Sequence, residues 1–240
     1  MDLEPDSQAS ASPLAAPSQA IESDGHWCWR GAAGTARFAF YGKPTRSDAP
    51  DLEATLAAAG LELATLRQVH SARVVEAVAG PCGEADALVA RRCGLALRVV
   101  TADCVPILLD SASGAIAAVH AGWRGLAAGI VEAAVERLGP QRPIRALIGP
   151  AIGACCYQVG RDVADEVARR AGSAAVIVEQ GDGRRPHLDL ALTARLVLER
   201  AGVDEVVTVD ACTRCQEARW SSYRRDGKGA GRNLALVWRE

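Results

Sequence analysis

Three side chains of metal-binding type stand at the ends of strand-like segments. They are His70, Cys104 and His120, and many residues separate them along the chain. Because strand ends of one sheet often converge on a single cleft, we expect the three side chains to meet. Two imidazoles and one thiolate suit Zn²⁺, and three protein ligands leave a fourth position open for water or substrate. The spacing alone also permits two satisfied strand histidines and one buried thiol.

Charged residues near these three extend the candidate site. Arg124 lies close to the second histidine in sequence, where it could hold an anionic substrate group. The alternative is a surface arginine that packs on the face of Trp123. Glu84, Asp86 and Asp103 are candidate carboxylates for proton transfer. Each of the three could equally be a turn residue or the cap of a strand end.

A glycine-rich basic segment, SSYRRDGKGAGR, covers residues 221–232. It contains Tyr223, Arg224 and Arg225, followed by glycines that would let the backbone approach a ligand. Paired arginines suit a phosphate or a carboxylate because the guanidinium group binds both oxygens of such an anion. A solvated basic loop has the same composition, so composition leaves both interpretations open.

The chain has eight cysteines, and most of them are expected to be small buried side chains. Reduced thiols are expected because the chain is long and apolar and shows no export signal. Cys212-Thr-Arg-Cys215 is a single C-x-x-C pair, which without a second pair is weak evidence for zinc or redox chemistry. Cys155 and Cys156 are adjacent, cannot easily bridge each other and are interpreted as structural.

Composition excludes several classes of protein. The chain has 240 residues, of which 49% are apolar and 23% charged, and its net charge is −2. This balance argues against a general nucleic-acid binder or a polybasic membrane protein. No apolar run approaches the roughly 18 residues of a membrane span, and the acidic start MDLE lacks the features of a signal peptide, so we expect a cytoplasmic protein. Four histidines are too few for a blue-copper and trinuclear copper oxidase, which needs roughly ten imidazole ligands.

Strand-like and helix-like segments alternate along the chain, which predicts an α/β fold. Residues 1–24 are rich in Ala, Ser, Pro and Gln, show no period and are predicted to be a disordered tail. Residues 25–240 are expected to form a single catalytic domain. The predicted strands are 95–100, 105–109, 115–120, 144–148, 174–178, 206–209 and 234–238, and the predicted helices are 126–138, 162–171 and a helix from the N-cap Asp189 to Arg200.

Several motifs occur in an order that resembles the laccase-domain family, also called YfiH-type or polyphenol-oxidase-like proteins. The resemblance begins near residue 61 and reaches the C-terminus. The motifs are Gln68-Val-His70, Ala85-Asp-Ala-Leu-Val89, Thr101-Ala-Asp-Cys-Val-Pro106, His120-Ala-Gly-Trp-Arg-Gly125, Ile148-Gly-Pro-Ala-Ile-Gly-Ala-Cys-Cys-Tyr157, Cys212-Thr, Ser222-Tyr-Arg-Arg-Asp226 and Gly231-Arg232.

The resemblance implies a fold, a metal and an activity. The fold is a four-layer α/β/β/α sandwich of mixed sheets, and the metal is a Zn²⁺ ion on His70, Cys104 and His120. The activity is phosphate-dependent cleavage of adenosine, inosine, guanosine and methylthioadenosine, with deamination of adenosine. Small-molecule purine nucleosides and phosphate are therefore the expected partners, without nucleic acid or membrane. The expected catalytic residues are Cys104, His120, Asp103 and Arg124, and the expected substrate or phosphate contacts are Tyr223, Arg224 and Arg225.

The chain departs from the family pattern at two places. The segment 37–46 lacks the Gly-Gly-Val-Ser and Leu-Asn stretches that family members carry before the Gln-Val-His motif, and Trp220-Ser221 stands where phenylalanine is usual. Two alternatives to the zinc nucleoside enzyme stay open. One is a metal-free hydrolase or deamidase with Cys104 and His120. The other is a non-enzymatic zinc-stabilised module, which predicts a closed metal site with four ligands.

Overall fold

A computed structural model describes residues 21–23, 26–33, 35–45, 51–172, 174, 176–177 and 185–239. The strands are β1 (Ile21–Ser23), β2 (His26–Ala33), β3 (Ala36–Pro44), β4 (Glu62–Arg67), β5 (Val74–Glu76), β6 (Gly80–Glu84), β7 (Ala87–Ala90), β8 (Leu95–Thr101), β9 (Val105–Ser111), β10 (Ile116–Ala121), β11 (Ile144–Ile148), β12 (Val176–Ile177), β13 (His187–Leu188), β14 (Glu205–Thr208) and β15 (Asn233–Arg239). The helices are α1 (Leu52–Ala58), α2 (Trp123–Ala128), α3 (Ile130–Leu138), α4 (Arg161–Ala171), α5 (Leu190–Arg200) and α6 (Tyr223–Asp226), which a 3₁₀ turn over Gly227–Gly229 follows.

Two mixed sheets form the centre of the fold. One has seven strands in the order β1-β2-β3-β15-β8-β4-β6, and the other has six in the order β14-β11-β9-β10-β7-β5. The parallel pairs are β4 with β8, β4 with β6, β5 with β7 and β11 with β14. The remaining pairs in these two sheets are antiparallel, and three of them, β1 with β2, β2 with β3 and β9 with β10, join consecutive strands.

The residues of β10 show how the layers are built. Every residue of this strand is buried, because both faces of its sheet are covered. Ile116 and Ala118 belong to the core between the two sheets. Ala117 and Val119 point to the opposite face, where they pack in the core beneath the helices.

Helices cover both outer faces of the paired sheets. The core beside the six-stranded sheet contains Leu126 of α2, Val131 of α3 and Val197 of α5. On the other side, Leu56 of α1 packs with Ala96 and Leu236 on the outer face of the seven-stranded sheet. The predicted single-domain α/β fold with a four-layer α/β/β/α sandwich is therefore confirmed.

The predicted helix 126–138 is wrong at its start and in its continuity. Helical structure begins at Trp123 and breaks at Gly129, which separates α2 from α3. Gly129 has a φ of 91°, a left-handed conformation in which a side chain would be strained, so the backbone changes direction there. The prediction of Asp189 as an N-cap is confirmed, since its carboxylate accepts a hydrogen bond from the backbone of Leu192 at 2.8 Å.

Three other segments differ from their predicted form. Residues 21–23, within the predicted tail, form β1, which pairs antiparallel with β2, whereas residues 1–20 and 24 lie outside the described residues. The predicted strand 174–178 is reduced to Val176–Ile177 among the residues described there. The basic segment 221–232 contains α6, because the hydroxyl of Ser222 accepts a hydrogen bond from the backbone of Arg225 and starts a helical turn.

None of the helices in the described ranges combines the length and hydropathy that a membrane-spanning helix needs.

Candidate active site

The three predicted metal ligands meet at one point. Their candidate ligand atoms all lie within 4.8 Å of one another, and Cys104 Sγ is 3.8 Å from His70 Nε2. The His70 and His120 rings are 4.8 Å apart at their centres and nearly perpendicular. In a tetrahedral zinc site a sulfur and a nitrogen ligand are about 3.5 Å apart, given bonds of about 2.3 and 2.0 Å. The donor types and their separation therefore fit a metal ion.

Asp86 orients the second histidine of this cluster. Its Oδ1 is 2.8 Å from His120 Nδ1, and both side chains are buried. An ionised carboxylate accepts hydrogen bonds, so Nδ1 carries a proton and Nε2 is left as the ligand atom. Asp86, a candidate for proton transfer in the sequence, therefore orients the imidazole of a candidate ligand.

The same carboxylate also fixes the loop that carries the first histidine. Asp86 accepts hydrogen bonds from the backbone amides of Val69, His70 and Ser71 at 3.3, 3.0 and 2.6 Å, and from the Ser71 hydroxyl at 2.7 Å. His70 has a φ of 60°, which is uncommon for a residue with a side chain. These hydrogen bonds hold that strained conformation, so one buried carboxylate positions both candidate histidine ligands.

Asp103 anchors the segment that carries the cysteine ligand. It has a φ of 93°, and His70 is the only other non-glycine residue with a positive φ in the described chain. Its Oδ1 accepts a hydrogen bond from the Thr213 hydroxyl and its Oδ2 from the backbone of Arg224, both at 2.6 Å. The carboxylate thereby ties the loop of the cysteine ligand to the basic segment.

Gly122 has no side chain, and the space beside its Cα atom lets His70 and Cys104 lie close to it. A Cβ atom at this position would lie 2.9 Å from His70 Cδ2 and 3.0 Å from Cys104 Sγ. Both separations are closer than van der Waals contact, so only glycine fits between the strand end and the ligands. The first glycine of the His-Ala-Gly-Trp-Arg-Gly motif is therefore needed for the approach of the ligands.

The ligands line a cavity of about 570 Å³, which is large enough for a nucleoside with phosphate. One carboxylate, that of Asp103, is present in the described lining. The lining residues are Gln68, His70, Val100, Thr101, Ala102, Asp103, Cys104, His120, Trp123, Arg124, Tyr157, Tyr223, Arg224 and Arg232.

Two arginines of the cavity wall pack against aromatic rings. The Arg124 guanidinium lies 4.3 Å from the centre of the Trp123 ring, and that of Arg224 lies 4.9 Å from the centre of the Tyr157 ring. Arg124 therefore packs on a tryptophan face, as one sequence interpretation has it, and also lines the cavity, where the predicted contact with an anionic group stays a prediction. Burial raises the pKa of Tyr157 to about 12, which keeps its hydroxyl protonated and able to donate.

The predicted phosphate contact of Arg225 does not fit the structure. Its guanidinium donates to the carbonyls of Thr213, Arg214 and Trp220 and to both carboxylate oxygens of Asp226. These contacts use all five donors of an arginine, and the side chain does not line the cavity. Arg225 therefore ties loops together, whereas Tyr223 and Arg224, predicted from the same motif, do line the cavity.

Seven lining residues lie outside the set predicted from the sequence as site residues: Gln68, Val100, Thr101, Ala102, Trp123, Tyr157 and Arg232. All of them except Val100 lie in a family motif, which was the available signal. Gln68 forms two hydrogen bonds of 2.8 Å with the backbone of Val100 and so joins the histidine loop to β8. Glu84, a proton-transfer candidate, instead forms an ion pair with Arg67 and is absent from the lining.

The cluster of His70, Cys104 and His120 is expected to bind a metal ion more weakly at low pH, because protons compete with the metal for the ligand atoms. Burial opposes ionisation of Cys104, but hydrogen bonds from His120 and His70 lower the pKa of this thiol to about 7. Burial also opposes charge on His120, but Asp86 and Cys104 raise its pKa to about 9. A metal must displace these protons, so affinity should fall about ten-fold per pH unit between 9 and 7 and about a hundred-fold per unit below 7.

Zinc affinity of the chelator-stripped protein, measured by competition with a chromophoric chelator from pH 6 to 10, checks this expectation. The chelator's own proton and metal constants provide the correction at each pH. A flat profile through pH 7 to 9 would contradict it.

Residues 48–240 match the family described as multi-copper polyphenol oxidoreductase laccase. The chain belongs to this family. The copper part of that description does not fit this laccase-domain protein, since its four histidines are too few for a multi-copper centre.

Relatives of this laccase-domain protein have nucleoside activities in their names. A purine nucleoside phosphorylase from Deinococcus radiodurans is 40% identical over 201 residues, which cover 81% of this chain and 77% of the relative. An adenosine deaminase, RL5, from an unknown prokaryotic organism is 35% identical over 198 residues, which cover 75% of this chain and 76% of the relative. The solved structure of a Neisseria meningitidis protein superposes with a TM-score of 0.74 at 32% identity and covers 86% and 95% of the two chains.

Proposed function

We propose that this laccase-domain protein is a zinc-dependent purine nucleoside enzyme. It cleaves adenosine, inosine, guanosine and methylthioadenosine with phosphate, and it deaminates adenosine. The observation that carries the proposal is the three-ligand cluster on the wall of a cavity lined by aromatic rings and arginines. The relatives' names, purine nucleoside phosphorylase and adenosine deaminase, support the substrate class. A cytoplasmic location is part of the proposal.

The ligand set proposed for zinc is His70 Nε2, Cys104 Sγ and His120 Nε2. A zinc ion held there would supply a Lewis acid and lower the pKa of water at the site. In the described residues no fourth His, Cys, Asp or Glu joins this cluster, and the cavity lies on its open side. This geometry favours an enzyme over a closed structural site at this position.

The cavity residues offer the contacts that a purine nucleoside needs. Trp123, Tyr157 and Tyr223 line the cavity, and stacking of a purine base on an aromatic ring contributes about 1–3 kcal/mol per base. The Tyr157 hydroxyl is protonated at neutral pH and can donate to a base or ribose oxygen. The aromatic lining therefore suits the base, and a polar wall remains for the phosphate.

Arg124 and Arg224 are the residues proposed to bind phosphate. Both line the cavity, and the guanidinium group of each lies over an aromatic ring that supports it. In phosphorolysis a phosphate oxygen forms a bond to the ribose anomeric carbon while the bond from that carbon to the purine nitrogen breaks. The purine leaves with the bonding electrons and takes up a proton. Two arginines held near the cluster would orient the anion for this attack.

Deamination exchanges the purine amine for a water oxygen and releases ammonia. That exchange needs a group that carries a proton from water to the leaving amine. Asp103 is the one carboxylate in the described lining, which keeps it as the proposed carrier. Its two existing hydrogen bonds, to Thr213 and Arg224, hold it at the cavity wall.

The proposal is tested by following adenosine with the purified protein, with and without inorganic phosphate, by chromatography. Adenine and ribose 1-phosphate are expected only when phosphate is present, because phosphate is the attacking group. Inosine from deamination is expected in both samples. Adenine release without phosphate, or no conversion of adenosine in either sample, would overturn the proposal.

Replacement of Arg224 by alanine is expected to weaken phosphate use more than deamination. A hydrogen bond to a charged group contributes about 1.5–3 kcal/mol, which corresponds to roughly a ten- to hundred-fold higher KM for phosphate. Deamination needs no phosphate, so its rate should change by a smaller factor than the KM for phosphate. Lys228→Ala is the matched control, since it removes one positive charge from the same basic segment at an exposed position outside the cavity lining. Equal losses in both reactions would count against the assignment.

A metal-free cysteine hydrolase remains the second candidate because one observation favours it. Cys104, His120 and Asp86 form a chain in which the carboxylate orients the imidazole and the imidazole lowers the pKa of the thiol. This is the order of groups in a thiol nucleophile activated by a histidine. Protein stripped by a chelator separates the two candidates, since a thiol nucleophile needs no metal and is inactivated by alkylation.

A further inference from the structure

A second group of sulfur atoms lies outside the cavity lining. Cys155, Cys156, Cys212 and Cys215 place their four Sγ atoms within 4.8 Å of one another. Cys215 Sγ lies 3.3 Å from Cys156 Sγ and 3.6 Å from Cys155 Sγ, and the two adjacent cysteines are 3.7 Å apart at sulfur. The fold thus brings the adjacent cysteines Cys155 and Cys156, interpreted above as structural, next to the C-x-x-C pair Cys212 and Cys215. That pair alone was weak evidence for zinc or redox chemistry.

The separation of these sulfurs is that of ligands around one ion. Four thiolates at about 2.3 Å from a tetrahedral zinc ion are about 3.8 Å apart from one another. A disulfide bond is about 2.05 Å long, much shorter than any of the three sulfur separations given above. Bridging sulfides of an iron–sulfur cluster would force the thiolates further apart, so a single ion fits better.

The backbone around the sulfurs is arranged for a thiolate. The Gly153 amide donates to Cys212 Sγ at 3.2 Å. A Cβ at Gly153 would lie 3.3 Å from Cys155 Sγ and 3.5 Å from Cys212 Sγ, so the missing side chain lets the backbone come close to both. Burial opposes ionisation of Cys212, but the amides of Cys215, Gly153 and Arg214 outweigh it and lower the pKa of this thiol.

A positive side chain stands beside the cluster. The Arg214 guanidinium interacts with the Cys156 sulfur, which raises the pKa of that arginine. Four thiolates with one divalent cation carry two net negative charges, so a neighbouring guanidinium offsets part of that charge. Cys155 and Cys215 are exposed, which leaves the cluster open to metal from solution.

We propose that Cys155, Cys156, Cys212 and Cys215 hold a second Zn²⁺ ion in a closed tetrahedral site of four thiolates. Soft sulfur donors in this geometry select zinc or iron in proteins. A closed site has no position for substrate, so its role is structural. This site is separate from the cluster of His70 and its partners and does not depend on the proposed function.

The second ion would stabilise one wall of the cavity. Cys156 precedes Tyr157, which lines the cavity, and the metal would join this segment to the one between Cys212 and Cys215. Thr213 lies in that second segment and donates to Asp103 at 2.6 Å. A metal at the four sulfurs would therefore fix the loop on which Asp103 is anchored.

The test uses the full chain, purified with zinc under reducing conditions, and compares metal content with sulfur coordination. The His120→Ala variant is expected to keep a zinc ion whose X-ray absorption shows sulfur ligands only. The same variant loaded with Co²⁺ should show the strong sulfur-to-metal charge-transfer bands of a tetrahedral thiolate site. The double variant Cys156→Ser/Cys215→Ser in this background should lose both signals, with zinc per chain falling from one to none.

Cys93→Ser in the same background is the control, because Cys93 is an exposed cysteine outside both clusters, and zinc per chain should stay at one. A His120→Ala protein without thiolate-bound metal would overturn the proposal, whether or not the enzyme proposal holds. Intact mass would identify the competing state, since each disulfide removes two hydrogens and blocks two thiols from alkylation. If the double variant does not fold, the spectra of the single variant still decide between bound metal and disulfides.

Discussion

Replacing Cys104 or His120 with alanine is expected to remove the metal at the cavity wall and nucleoside turnover together. Either change leaves two ligands, and a divalent ion in a three-ligand site does not stay bound when one is lost. A metal used as Lewis acid contributes several kcal/mol to the transition state, so kcat should fall at least about 1,000-fold for phosphorolysis. Zinc content and adenine formation, measured on the same preparations, check this.

The control for this prediction is Cys93→Ala, which removes an exposed thiol outside both sulfur-containing clusters and should change neither quantity. Zinc per chain is expected to fall by one equivalent in the ligand variants rather than to zero if the four-cysteine site is also filled. Full activity in a His120→Ala protein that has lost the site's metal would contradict the zinc mechanism. Activity retained in chelated wild type but lost on alkylation would favour the cysteine hydrolase.

The fold class could be predicted from local sequence patterns because most buried strands have the apolar sequences that are typical of such strands. The strands β8 to β11 have predominantly apolar sequences, as expected for sheets covered on both faces. The break at Gly129 was missed because apolar residues keep helical spacing across it, and an isolated glycine does not reveal its φ. Backbone conformation at a single glycine depends on the packing of both flanking helices.

The position of His70, Cys104 and His120 at strand ends made them candidates, and the family resemblance implied that they hold zinc, but the groups that position these side chains could not be predicted. Asp86 had the features of a turn residue, and only the three-dimensional fold shows it accepting bonds from His120 and the 69–71 loop. Arg225 was assigned with Arg224 because neighbours in a motif look alike. The turn of α6 sends Arg224 to the cavity and Arg225 to loop carbonyls.

The four-cysteine cluster shows the same limit for long-range contacts. Cys155 and Cys215 are sixty positions apart in sequence, and neither the adjacent pair nor the single C-x-x-C pair identifies a metal site by itself. The bridge between Ala151 and Cys212 brings the two segments side by side. A metal site divided between two loops becomes visible only when the sheet topology is known.

Replacement of Asp86 by asparagine is expected to weaken metal binding about 10- to 100-fold and to destabilise the fold. If the amide nitrogen faces His120, the imidazole must place its proton on Nε2, where the metal binds. If it faces the loop, two donors oppose each other at Ser71, and a buried donor left without a partner costs about 1–3 kcal/mol. In one orientation the asparagine no longer orients His120 for metal binding, and in the other it no longer holds the 69–71 loop.

Glu84→Gln is the matched control for Asp86→Asn, because it removes the same charge from an exposed carboxylate two positions away. Its unfolding free energy should change by less than about 0.5 kcal/mol.

The stability that Asp86 provides is expected to depend on pH. Burial opposes ionisation of this carboxyl group, but hydrogen bonds from His120 and Ser71 outweigh burial and lower the pKa of Asp86 below its usual range. The stability from this group is therefore present above the ordinary pKa of an aspartate and is lost as the pH falls through the lower folded value. Denaturant unfolding of metal-free wild type from pH 7 downward should show that loss, and the profile of Asp86→Asn should be flatter. Parallel profiles in the two proteins would show that the carboxylate does not hold the ligand loop.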